Sequence, residues 1–270
     1  MKTATAHRPT GPTTASLGAR TMSVARHDLG SPPVDALRVD EVNRLAETSH
    51  SVRKASTTAG VALLAMSVLS AFGYLLAVKG LVVPRNAART ARNITGHESL
   101  FRLGILSLYL VDALDVVAAC ALYRVFKPVS AGLSRLAAGL RIAYAAVFMV
   151  AISQLVEALR GHTQALRHIN SFTNIWDAGL VLFGLNLFVL AYMAYRSGYV
   201  SKLLAVLLAI AAFGYVFDTV VRSLVQGSSS DVSAITGMGE FVFALWLVIR
   251  GHRIALDDSG SHVDSMGEAR

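Results

Sequence analysis

Long apolar blocks separated by short polar stretches constrain the fold of this chain more than any other feature. The chain has 270 residues, of which 54% are hydrophobic and 16% are charged. Soluble domains are usually about 45–50% apolar and about 25% charged, and here the excess apolar residues are concentrated in the blocks. About six blocks can be delimited, at residues 58–83, 103–123, 136–159, 176–195, 203–224 and 234–249.

Each block is apolar on every face, which predicts a membrane-spanning α-helix. A helix in lipid satisfies its own backbone hydrogen bonds, and about 20 residues cross the roughly 30 Å of hydrocarbon. The block at 234–249 is short for this purpose. The sequence therefore predicts an all-α, polytopic transmembrane bundle of about six helices.

Polar ends flank the apolar region and divide the chain into three segments. Residues 1–55 are rich in Thr, Ser, Ala, Pro and Arg, which predicts a disordered cytoplasmic tail. A short amphipathic helix at 34–45 is the alternative for part of this tail. Residues 56–253 are the predicted transmembrane domain, and residues 254–270 are a second disordered polar tail.

Basic residues in the short flanks of the blocks predict the orientation, because cytoplasmic loops carry an excess of Lys and Arg. The first loop opposes an N-terminus in the cytoplasm, since it would place Arg85, Arg89, Arg92 and Arg102 outside. The remaining flanks favour both termini in the cytoplasm, in a multi-pass protein of the bacterial inner-membrane type. They hold Arg124, Lys127, Arg135, Arg196, Lys202, Arg250 and Arg253.

The formal net charge of +8 is explained by lipid contact and membrane topology rather than by nucleic-acid binding. The basic residues lie mainly beside the apolar blocks, where lipid headgroups and membrane insertion account for them. No nucleic-acid-binding module is visible. The predicted partners are the lipid bilayer and either another membrane protein or further copies of this chain. Nucleic acid is not expected.

The order of several short motifs resembles a known family of membrane proteins. The motifs include Asn93-Ile94, Phe101-Arg102, Lys127-Pro128, Arg196-Ser197-Gly198-Tyr199, Gly214-Tyr215 and Trp246-Leu247, with acidic residues at Glu98, Asp112, Asp115, Asp218 and Glu240. In this order they resemble the bacterial membrane family known as domain of unknown function 4386, over residues 58 to 253. The resemblance implies a six-helix membrane fold, and it implies no activity, substrate or catalytic residue.

Ionisable residues inside the predicted spans mark a candidate polar network. Such groups are costly in lipid and rarely face it. Asp112 and Asp115 share one face of the second span. At 1.5 Å per residue, Asp115 and Arg141 lie at similar depth, which predicts an ion pair. Asp112 is near the midplane with Asn186 as a possible hydrogen-bond partner.

A second polar set is predicted in the outer half of the bundle. Asp218 precedes Arg222 by four residues, the favourable order for an intrahelical pair. Together with Glu240 and Asp177, these residues either ring an outward-facing polar cavity or lie among the headgroups.

Residues suited to catalysis are sparse within the spans. No histidine lies inside a predicted span, and the one cysteine, Cys120, permits neither an intrachain disulfide nor a thiolate cluster. No nucleophile elbow or phosphate-binding loop is present in the sequence. We therefore expect no catalytic activity, no cofactor and no metal site.

Two functional hypotheses remain open. The first is a non-catalytic structural, accessory or sensory membrane component, in which the intramembrane charges hold helices together. The second is a small proton-coupled transporter or channel that uses Asp112, Asp115, Arg141 and Asp218. A water-accessible cavity that reaches Asp112 would favour the second hypothesis.

Overall fold

Every regular element is a helix in the residues that the computed structural model describes, which are 34–224 and 238–251. The chain divides into a unit of residues 1–41 and a unit of residues 42–270. The described residues form seven α-helices: α1 Val34–Ser70, α2 Ala87–Gly96, α3 Glu98–Phe126, α4 Ala131–Arg160, α5 Ala165–Arg196, α6 Lys202–Leu224 and α7 Met238–Arg250.

Five of the helices are long and apolar enough to cross a membrane. They are Ser49–Leu81, Glu98–Phe126, Ala131–Arg160, Ala165–Arg196 and Lys202–Arg222. The all-α membrane bundle predicted from the sequence is thereby confirmed, with spans that extend beyond most of the predicted bounds. The sixth predicted block, 234–249, corresponds to α7, whose 13 residues are too few to cross the hydrocarbon by themselves. The first four residues of that predicted block, 234–237, lie outside the described part.

Helix α1 begins within the segment that was predicted to be a disordered tail. The tail was predicted for residues 1–55, but the chain is helical from Val34 onward, so that prediction is wrong for residues 34–55, and the helix begins where the alternative, a short helix at 34–45, placed one. Residues 1–33 and the predicted tail at 254–270 lie outside the described residues. The helix continues as a wider π-helical segment, Ala71–Val78, and ends in the 3₁₀ turn Lys79–Leu81.

Helix α2 occupies the first loop and was not predicted. The Asn86 side chain caps it by accepting a hydrogen bond from the backbone N–H of Arg89 at 2.9 Å. Thr90 and Ile94 are buried on one face of α2, while Arg89 and Arg92 are exposed on the other. The helix is therefore amphipathic, and it connects the end of the first span to the start of α3.

Close helix packing builds the interior of the bundle. Successive helices α3, α4, α5 and α6 pack against one another, and α3 also packs against the π-helical segment. A Cβ added at Gly104 of α3 would overlap the Cβ of Ala77, so glycine is what lets the two helices approach. Small residues at such crossings are common in membrane bundles.

The outer surface of the bundle is apolar, as lipid contact requires. Val68, Leu106 and Phe213 are 69%, 63% and 60% exposed, respectively. A soluble protein rarely presents contiguous apolar surface on this scale. The polar side chains Asp112, Asp115, Arg141, Asn186 and Asp218 are instead buried inside.

Candidate functional site

A buried ion pair between α3 and α4 is the centre of the candidate site. Arg141 Nε lies 2.8 Å from Asp115 Oδ1, and the two side chains are 1% and 2% exposed. At this distance the two opposite charges are in direct contact inside the bundle. The predicted Asp115–Arg141 pair is confirmed.

The depth of this pair follows from its place along two antiparallel helices. Arg141 is ten residues after Ala131, where α4 begins, and Asp115 is 11 residues before Phe126, where α3 ends. At 1.5 Å per residue, both lie roughly 15 Å from these helix ends. The pair therefore lies inside the apolar layer, in the half nearer the turn between α3 and α4, where a lone charge is costly.

Glu240 of α7 is a second acidic partner of Arg141. Its Oε1 lies 3.8 Å from Arg141 Nη2, and its side chain is 20% exposed. The prediction that Glu240 belongs to an outer polar set is therefore wrong. Glu240 lies in the first described turn of α7, so this part of α7 begins at the depth of Arg141 rather than at a membrane surface.

Phe183 of α5 completes the surroundings of the guanidinium. The Arg141 Cζ lies 5.2 Å from the centroid of the Phe183 ring, within cation–π distance. The same ring is 4.9 Å from Tyr144 and 5.2 Å from Tyr215, measured between centroids. Arg141 on α4 is thus contacted from α3, α5 and α7, and Phe183 connects the charge cluster to α6.

An aromatic cluster extends from Phe183 toward the α2 side of the bundle, which we define as the side where the first span ends. Trp176 Nε1 donates a hydrogen bond to the Tyr144 hydroxyl at 2.9 Å. The Trp176 ring centroid lies 4.7 Å from that of Tyr74 in the π-helical segment and 5.5 Å from that of Phe148. These rings fill the space between α1, α4 and α5.

Asp112 and Asn186 are buried but share no hydrogen bond. Both side chains are nearly inaccessible, at 5% and 1%. Asp112 Oδ1 and Asn186 Nδ2 each lack a hydrogen-bond partner within residues 34–224 and 238–251. The predicted hydrogen bond between them is therefore wrong. Asn186 instead faces a recess next to Arg141.

This recess lies between α3, α4 and α5, on the side of the bundle opposite α2. It is too narrow to hold a water molecule. Ser134 Oγ closes part of it by donating a hydrogen bond to the Tyr123 carbonyl at 2.8 Å. The lining residues are Ala119, Leu122, Tyr123, Ser134, Ala137, Ala138, Arg141, Asn186 and Leu190.

A separate polar group joins α5 and α6 nearer the α2 side. Arg222 Nη1 donates to Asp177 Oδ2 at 3.1 Å, with side chains 29% and 20% exposed. Thr219 Oγ1 lies 3.0 Å from the Asp177 carbonyl, to which it donates. Asp218 is 1% exposed in the same turn of α6. Asp177 and Arg222 were both assigned to the outer polar set, and the structure pairs them directly, while the Asp218–Arg222 pair stays a prediction.

The sequence predicted some of the contacts in this site and missed others. The site prediction omitted Phe183, which contacts Arg141, and it placed Asp177 in the outer polar set without assigning it one cation. Asp177 carried a signal, since an acidic residue inside an apolar block needs a cation. Phe183 carried none, because one aromatic residue in an apolar span looks like any other. Among the described residues, His, Cys, Asp and Glu form no group of three suited to a metal ion.

The fold and the buried charges define a class of protein: a multi-pass helical membrane protein with a buried ionic cluster between its helices. The family model for DUF4386, described as a domain of unknown function, matches residues 58–251. The chain belongs to this family.

One relative extends the comparison to an archaeon. A protein of Archaeoglobus fulgidus, named only as an uncharacterized protein, is 36% identical over 151 residues. The match covers 56% of this chain and 85% of the relative. No solved structure matches the chain. Since this relative is archaeal, the bacterial origin predicted from the resemblance stays a prediction.

Proposed function

We propose that this protein is a non-catalytic component of the cell membrane, with a structural, accessory or sensory role toward another membrane protein or further copies of itself. The observation that carries the proposal is the engagement of Arg141. Its guanidinium contacts Asp115, Glu240 and Phe183, on three different helices. A charge engaged on several sides acts as a clamp between helices.

Energetics support the clamp. A charged side chain at mid-depth is costly unless it is paired, and removing one partner of a buried pair costs about 3–5 kcal/mol. The recess beside Arg141 is too narrow for water, so this conformation offers the guanidinium no solvent in place of its acidic partners. The cluster therefore favours one arrangement of α3, α4, α5 and α7.

A proton-coupled transporter or channel is the second candidate, and one observation favours it. Asp112 and Asn186 each bury a polar atom without a hydrogen-bond partner among the described residues. Buried groups of this kind are uncommon, and an unpaired carboxyl within the membrane is what a proton pathway uses. In that case the recess would have to open in a second conformation.

Reconstituted liposomes separate the two functions. Purified protein would be tested for proton flux, driven by a pH gradient and read with an enclosed pH-sensitive dye, beside Asp112→Asn and protein-free vesicles. Our proposal predicts no flux above protein-free vesicles. Flux that disappears in Asp112→Asn would contradict it and support the transporter.

The orientation is also part of the proposal, with both termini in the cytoplasm and α7 within a sixth crossing. Reporters inserted after residues 128 and 199 are expected on the cytoplasmic side, and reporters after residues 84 and 161 on the other side. A reporter fused after Gly251 should group with those at 128 and 199. If it groups with those at 84 and 161, the sixth crossing is wrong.

A further inference from the structure

Helix α2 is held in a fixed position at one boundary of the apolar layer. The Thr90 hydroxyl accepts from the Val83 backbone N–H at 3.0 Å and lies within 3.0 Å of the Asn86 carbonyl, to which it donates. Asn93 Nδ2 donates to the Leu81 carbonyl at 3.1 Å. Ile94 is completely buried. These contacts attach α2 to the end of the first span, so it is not a loosely placed loop.

The exposed face of α2 is strongly basic. Arg89 and Arg92 are three residues apart and share this face, and Arg85 lies in the turn that leads into the helix. All three are exposed, and none forms an ion pair with another residue in the described ranges. The sequence from Lys79 to His97 contains no acidic residue. The next acidic residue along the sequence, Glu98, is already bonded to Arg102.

The depth of these arginines corresponds to lipid headgroups. Helix α2 lies between Leu81, where one candidate span ends, and Glu98, where the next begins. Apolar side chains point outward a few residues further along both spans, with Leu76 64% exposed and Leu103 54% exposed. Lipid chains cover such residues, so the neighbouring arginines are at the level of the phosphates.

We infer that the basic face of α2, formed by Arg85, Arg89 and Arg92, is a binding surface for anionic phospholipid headgroups. A guanidinium fork matches a phosphate in charge and geometry. Several arginines attached to one short helix place their charges together, and each adds about fivefold to the affinity for an anionic surface. This surface does not depend on the role of Arg141, which lies in the interior.

Native mass spectrometry of the full-length protein in detergent tests this surface. The protein would be mixed with equal amounts of phosphatidylglycerol and phosphatidylcholine, and the bound lipids counted. The unchanged protein should retain phosphatidylglycerol preferentially. In the triple variant Arg85→Gln, Arg89→Gln, Arg92→Gln, the ratio of bound phosphatidylglycerol to bound phosphatidylcholine should be at least about tenfold lower. Replacing the same three residues by Lys should keep most of it, since the charges remain.

A matched control removes three exposed charges from the opposite side of the bundle: Arg124→Gln, Lys127→Gln and Arg135→Gln. It should keep the preference for phosphatidylglycerol. If the α2 variant keeps the preference, if the control loses it equally, or if an acidic peptide binds α2 without any lipid preference, the inference is wrong. Should the triple variant not fold, each single Arg→Gln variant on this exposed face should lower the preference by about fivefold.

Discussion

Arg141 of α4 and Asp115 of α3 face each other 2.8 Å apart inside the bundle, and both side chains are almost completely buried. Loss of either partner leaves the other charge buried without a counter-charge at this distance, and lipid offers it no solvent. Glu240 and Phe183 add contacts from α7 and α5. The cluster thus joins helices that are distant in the sequence.

Glu240 should contribute less to stability than Asp115. Its carboxylate is 3.8 Å from Arg141 and 20% exposed, whereas that of Asp115 is 2.8 Å away and 2% exposed. We expect Glu240→Gln to lower the free energy of unfolding by less than Asp115→Asn does, because the attraction between two charges weakens as the distance between them grows. Thermal unfolding in detergent, run beside Asp115→Asn, measures the difference. Equal losses in the two variants would contradict this ranking.

Gly104 should not tolerate a side chain. A Cβ there would overlap the Cβ of Ala77, so Gly104→Ala must separate α3 from the π-helical segment. Overpacking of this kind costs about 1–3 kcal/mol, although alanine is the better helix former. Gly139→Ala is the control, because nothing lies within 4 Å of its Cβ position. It should be neutral or slightly stabilising in the same unfolding measurement, and an equal loss at both sites would refute the packing argument.

The Asp177–Arg222 contact should be weak and sensitive to salt. Its two side chains are 20% and 29% exposed, so solvent and ions screen the attraction. Arg222→Gln should lower the melting temperature slightly, corresponding to about 0.2–1 kcal/mol, and the difference should shrink at high ionic strength. Arg160→Gln is the control, since the Arg160–Glu157 pair is 72% and 47% exposed. A loss at Arg222 that is large and independent of salt would show that more than this ion pair is removed.

The spans could be predicted from the sequence because length and apolarity decide them together. The Asp115–Arg141 pair could also be predicted, because a short turn joins α3 to α4 and depth can be counted outward from it. Both steps use one-dimensional information, namely residue spacing and the 1.5 Å rise of a helix.

Some residues were placed wrongly because residue spacing along the sequence does not determine their positions. The residue count placed Glu240 in the outer half, on the assumption that α7 begins at a membrane surface. The first described turn of α7 instead lies beside Arg141. Asp112 and Asn186 share no hydrogen bond, because packing decides the rotation of each helix about its axis. Helix α2 was overlooked although Thr90 and Ile94, four residues apart, carry its buried face.

The clamp itself is tested most directly by a double-mutant cycle on Asp115 and Arg141, read as thermal unfolding in detergent. Asp115→Asn and Arg141→Leu should each cost about 3–5 kcal/mol, because each leaves an uncompensated buried charge. The double variant should recover at least half of the summed loss, although Glu240 then lacks its cation. If the double variant loses the full sum of the two single losses, the clamp does not exist.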